Sequence, residues 1–146
     1  MKMSTKGRYG LRVMMELAGN YGGGPIAVDV IAKNQGISGK YIHVLVNGLR
    51  SAGLLRAVRG PNGGYKLARE PASITVLDVI TALEGNNAPV ACVIDALCCA
   101  RAGSCAARDV WCEVASAIDR VMSDITLEKL VARQSSKTQE PVTYYI

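Results

Sequence analysis

The sequence has one histidine, no C-x-x-C pair, no apolar run of 18 residues and no cysteine outside residues 92–112. Each shortage removes a class of protein. With no 18-residue apolar run there is no membrane-spanning helix to read. The stretch MKMSTKGRYGLRVMMELAG carries Lys2, Lys6, Arg8, Arg12 and Glu16, which interrupt the apolar segment a signal peptide needs. A cytoplasmic location without a membrane partner is therefore expected. The missing C-x-x-C deprives a thioredoxin-like catalyst of its paired thiols. It also weakens zinc, whose structural sites favour ligand pairs two to four residues apart; the non-adjacent cysteines here have at least five residues between them. The one histidine, His43, lies more than 45 residues from the cysteines, so no nucleophile–base pair is in view and an enzyme is not expected.

What is present is concentrated. All five cysteines fall in CVIDALCCARAGSCAARDVWC, residues 92–112. A disulfide framework would spread its cysteines so that each bridge closes a loop, and a reducing compartment keeps thiols reduced, so a metal site or a redox sensor is the reading. At 15.5 kDa and 49% hydrophobic residues the chain is long enough for one domain, or a small domain with an appendage.

Charge is concentrated too. Residues 1–84 hold eleven Lys and Arg against five Asp and Glu, whereas residues 85–146 hold six against seven. A basic half points to a polyanionic partner. Its pattern is a mostly helical one with a small hairpin. KGRYGLRVMMELAGN places Leu11, Met14, Leu17 and Ala18 on one helix face and stops at NYGGGP. A short helix in AVDVIAKNQ ends at Gly36, and Ser38 caps a third on which Tyr41, Ile42, Leu45, Val46 and Leu49 share a face. Two short helices joined by a tight glycine turn form a helix-turn-helix, leaving Ser38, Lys40, His43, Asn47 and Arg50 on the face toward the major groove. LLRAVRG-PNGG-YKLAR then reads as a β-hairpin wing with Arg56, Arg59, Lys66 and Arg69 on or beside it, for a neighbouring minor groove. Gly60, Gly63 and Gly64 would let backbone approach phosphate. Thr75 and Asp78 form a capping box for a helix burying Val76, Val79, Ile80 and Leu83.

The segments TKGRYGLR, QGISGKYIHVLVNGLRSAGLL and VRGPNGGYKLAR resemble the IscR-type family of winged-helix transcription regulators, whose relatives include NsrR and CymR, and the resemblance runs from Met1 to about Leu130. It implies a homodimer on double-stranded DNA with two half-sites, a repressor that senses iron–sulfur cluster status, redox state or nitric oxide. Lys6, Arg8 and Tyr41 join the DNA-contacting set on this reading. It also implies a 2Fe-2S or 4Fe-4S cluster on Cys92, Cys98 and Cys105. In IscR-like chains a histidine follows the third cysteine; here Arg108 stands in its place. The fourth ligand stays open among Cys99, Cys112, Asp95, Asp109 and a residue of the partner subunit. Cys112 is equally readable as a small buried interface residue, and His43 is read as a DNA contact before a metal ligand.

Val110, Val114, Ala117, Val121 and Ile125 recur every three or four residues, which marks an amphipathic helix read as the dimer interface. The chain thus divides into a winged helix-turn-helix domain at 1–84, a cysteine-rich cluster-binding loop at 85–109, a dimerisation helix and following segment at 110–130, and a mobile tail at 131–146 whose Tyr144-Tyr145-Ile146 end is a docking element. Two other functions compete with the cluster sensor: a metal-free regulator switched by thiol oxidation, for which Cys98-Cys99 is the vicinal pair, and a small redox enzyme or electron carrier.

Overall fold

The computed structural model describes residues 3–86 and 88–139. Local signals start or stop each of the early helices. The Ser4 hydroxyl accepts the Gly7 amide at 3.2 Å and opens α1 (Thr5–Gly19), which buries Val13, Met14, Leu17 and Ala18. Gly7 and Gly10 are on the same buried side because another helix crosses there: a Cβ at Gly7 would strike Glu84, and one at Gly10 would strike Leu83. Helix α2 (Val28–Gln35) stops at Gly36, whose φ of 66° is the left-handed conformation that glycine adopts at least cost. Ser38 accepts the Tyr41 amide at 3.2 Å to start α3 (Gly39–Ser51), a cap worth about 1 kcal/mol. Ile42, Leu45, Val46 and Leu49 of α3 are all buried, the face that the spacing predicts.

The wing is an antiparallel pair, β1 (Leu55–Val58) and β2 (Gly64–Leu67), with Leu55 opposite Leu67 and Arg56 opposite Lys66. Alternation sends Leu55 and Leu67 into the core and Arg56 and Lys66 to solvent. A 3-10 turn at Pro71–Ser73 leads to α4 (Val76–Glu84), which carries the complete capping box of Thr75 and Asp78 and buries Val76, Val79, Ile80 and Leu83. The architecture is a winged helix-turn-helix, mostly helical with one two-stranded hairpin.

Beyond α4 the structure departs from the expected divisions. Residues 85–109 are not an open loop: they contain α5 (Ala91–Ile94) and 3-10 turns at Ala96–Cys98 and Ala102–Ser104, and α6 (Ala106–Ser123) already begins at Ala106. Ala106 and Ala107 are strong helix formers, and Asp109 in the first turn suits the positive end of the helix dipole. The stretch 110–130 holds the rest of α6, which ends at Ser123, and then a following segment. Thr126 forms a β-bridge with Thr75, the Val76 amide donates to the Ile125 carbonyl at 2.8 Å, and the Leu127 amide donates to Ile74 at 2.9 Å. This clasp requires extended backbone, so α6 ends before it and α7 (Leu127–Gln139) begins after it.

The mobile tail expected from 131 is corrected over its first part, since residues 131–139 are helical. Leu127 is fully buried, and Leu130 and Val131 pack on the same core, the i, i+3, i+4 anchor that holds α7 down. Tyr144, Tyr145 and Ile146 lie outside the described residues. Among the described residues no helix is long and apolar enough to cross a membrane.

Candidate nucleic-acid interface and cysteine loop

Packing between α1, α2 and α3 sets the presentation of the helix-turn-helix. Arg12 donates to the Gln35 side chain at 2.9 Å and to its carbonyl at 3.0 Å, while Glu16 accepts from Asn34 and Gln35 at 2.6 Å each. The Arg12 guanidinium also lies 5.3 Å from the Tyr9 ring centre, and Tyr9 meets Tyr41 edge-to-face at 6.2 Å. The consequence is that α2 and α3 are braced against one helix. Tyr41 is therefore half-buried in this brace, with only part of its surface free for DNA. On α3, Lys40, His43, Asn47 and Arg50 are exposed on the face opposite the core, and Ser38 is exposed with its hydroxyl engaged as the cap. Lys6 is half-buried and Arg8 exposed on the first turns of α1.

In the wing, Arg56 and Lys66 stand directly opposite each other in the sheet register. Like charges in that relation repel, and an anion beside them relieves the repulsion. Arg59 and Gly60 are exposed at the turn, and Gly60 has φ of 113° with open space where a Cβ would go. Gly63 and Gly64 also meet a need within the protein itself. A Cβ on Gly63 would strike the Val58 carbonyl, and one on Gly64 the Ile26 carbonyl, so both are small to let protein backbone meet protein backbone. Ile26 exchanges two 2.9 Å hydrogen bonds with Tyr65 and anchors the wing to the body. Nothing in the local pattern around Ile26 signals this pairing. Replacing Arg59 with alanine is expected to weaken binding to a selected operator by about 1–3 kcal/mol at fixed salt, measured by fluorescence anisotropy; an unchanged dissociation constant would remove the wing from the interface.

The five cysteines are all free thiols. Cys92, Cys105 and Cys112 are half-buried, on α5, at the N-cap of α6 and within α6; Cys98 and Cys99 are exposed at the end of the Ala96–Cys98 turn. Among the described residues no three His, Cys, Asp or Glu side chains are gathered as a metal-holding group. The donor chemistry nonetheless suits iron and sulfide, which favour soft thiolates. Arg108, where the family pattern has histidine, uses its Nε to donate to the Cys92 carbonyl at 2.8 Å, so its side chain ties α5 to α6. The Cys98 thiol is pushed above the usual range, first by desolvation and then by Cys92, Asp95 and Cys99, with Arg108 opposing.

The apolar stripe of α6 has no buried residue within the chain. Val110 is 54% and Val121 is 58% exposed, and Val114, Ala117, Ile118, Val121 and Met122 line one open groove. Ile125 does not belong to this stripe. It lies past the end of α6, half-buried, with its carbonyl in the clasp to Val76.

Three known proteins are similar in sequence and fold. HTH-type transcriptional regulator CymR of Bacillus subtilis is 41% identical over 146 residues, all of both chains, and its crystal structure superposes with a TM-score of 0.77 over 91% of this chain and 98% of that one. The IscR structure from T. potens is 37% identical with a TM-score of 0.77, covering 99% of this chain and 95% of its own. The oxidized form of Staphylococcus aureus CymR is 37% identical with a TM-score of 0.73, covering 90% and 96%. The model of the Rrf2 family, described as an iron-dependent transcriptional regulator, matches residues 3–133, and the chain accordingly belongs to the Rrf2 family of transcriptional regulators.

Proposed function

We propose that this regulator binds a duplex operator of two half-sites as a homodimer, and that an iron–sulfur cluster on Cys92, Cys98 and Cys105 sets its DNA affinity. The observation that carries the reading is the placement of the thiols. All five lie between α4 and the middle of α6, outside the winged-helix core, and none is fully buried or bridged, so the fold itself has no use for them. A cluster supplies redox and ligand-exchange chemistry when bound; the protein's part is to hold the thiolates and to connect the loop to the DNA-reading elements. A route for that connection is offered by Glu84, the last residue of α4 before the loop segment, which accepts from the Ser4 hydroxyl at 2.7 Å and the Ser4 amide at 3.2 Å. On this reading a movement of the loop would reach the start of α1, beside Lys6 and Arg8.

A second reading, a metal-free thiol switch, is favoured by the adjacent exposed pair Cys98-Cys99 and by the relatives described as a global cysteine regulator and as an oxidized form. Anaerobic purification with an absorption spectrum and iron and sulfide assays separates the two, since only the cluster absorbs in the visible. Trp111, the single tryptophan, neighbours Cys112, and its emission is expected to fall as the cluster assembles.

The unpartnered α6 stripe supports the homodimer. A Val114→Glu or Val121→Glu change is expected to yield monomers in sedimentation and to weaken operator binding by about 10²–10⁴-fold, because the second half-site is no longer delivered at high effective concentration. A monomeric wild-type chain at micromolar concentration would contradict the proposal.

A further inference from the structure

The DNA-facing side of α3 contains one residue that its polar neighbours do not explain. Lys40, His43, Val44 and Asn47 follow the i, i+3, i+4, i+7 pattern and share an arc of roughly 100°. Val44 is 52% exposed and takes no part in the core, although every other large apolar residue of α3 is buried or packs against it. Folding does not call for valine there. A β-branched side chain at an exposed helix position forms helix less readily than lysine, glutamate or alanine, and it leaves apolar surface in water.

We propose that Val44 is a specificity residue that reads thymine in the major groove. A major-groove edge offers hydrogen-bonding atoms at all four bases, and the C5-methyl of thymine is its one apolar feature. A short branched side chain flanked by Lys40, His43 and Asn47 would bury its methyls against that group while the neighbours satisfy phosphates and base edges. Valine is also without donors or acceptors, so it leaves the cytosine amino group and the guanine acceptors unpartnered and discriminates by exclusion as well as by contact. The inference rests on the reading that α3 enters the major groove.

The test uses duplexes selected from a random pool by the wild-type dimer, with each thymidine of the consensus then replaced singly by deoxyuridine, which lacks only the methyl. One thymine per half-site is expected at which this replacement weakens the wild-type chain about fourfold, the effect of one methyl-sized burial, and leaves Val44→Ala unaffected. A melting temperature for Val44→Ala equal to wild type establishes that the exposed substitution leaves the fold intact. The proposal is overturned if no thymine shows that difference, or if the selected half-sites contain no thymine, while Lys40→Ala and Asn47→Ala still bind the duplex at least tenfold more weakly. If those two variants bind like wild type, or the pool yields no enriched duplex, the groove assignment of α3 is what fails, and the proposal falls with it.

Discussion

Cys92→Ala and Cys105→Ala, reconstituted anaerobically with iron and sulfide, are expected to retain no visible absorbance and to differ from the loaded wild-type protein in operator affinity by about 5- to 150-fold, the usual range of coupling between two sites. The two residues bracket the loop, one on α5 and one at the N-cap of α6, and Arg108 ties those helices together through the Cys92 carbonyl. On the proposed reading, losing either would remove a ligand that no neighbour replaces. Cys98 and Cys99 are adjacent and both exposed, so single changes there are expected to lower cluster content only in part. Cys112 lies two turns beyond Cys105, about 10 Å along α6, which favours Cys99 as the fourth ligand. Cys112→Ala is accordingly expected to keep its cluster. Should Cys92→Ala and Cys105→Ala hold a full complement of iron and sulfide, the thiol switch replaces the cluster as the mechanism.

Leu127→Ala is expected to destabilise the whole winged-helix domain by about 2–5 kcal/mol, read from the urea midpoint at constant slope. Leu127 is fully buried although it lies more than 40 residues past the end of α4. Its amide bonds Ile74 and its side chain completes a core built by α1, α3 and α4. A fragment ending at Glu84 would leave that core open and is expected to lack a cooperative transition. An unchanged midpoint in Leu127→Ala, or a cooperatively folded 1–84 fragment, would show that α7 is an accessory rather than part of the domain.

Residues whose signals are local were legible in the sequence. Ser38 and the Thr75–Asp78 box announce helix starts within three positions, and the stripe Ile42, Leu45, Val46, Leu49 announces its buried face through period alone. The helix-turn-helix and its wing were legible from period, caps and turn residues, while the family resemblance supplied the grouping of Cys92, Cys98 and Cys105. What escaped is long-range. Glu84 on Ser4, Ile26 on Tyr65 and Leu127 on Ile74 join positions far apart in the chain, and pairing at such separation imposes no periodicity on either partner. Val44 carries no sequence signal of its own, since a valine beside Leu45 and Val46 is indistinguishable from a core residue by composition, and only its exposure sets it apart. The polar composition after Val131 conceals a helix because two of its three apolar anchors, Leu127 and Leu130, precede that stretch.

The clasp at Thr75 and Thr126 makes the stretch from Gly85 to Ile125 a closed excursion: it leaves the C-terminal end of α4 and is sewn back beside its N-terminal end. Once both ends are held, doubling the length of such an excursion raises its closure entropy by only about 0.6 kcal/mol. Residues can therefore be inserted, deleted or exchanged around the cysteines with little effect on the domain that carries them. The same DNA-reading body is in this sense a socket, and a lineage can refit it with a different chemical sensor while the core of α1, α3, α4 and α7 stays as it is.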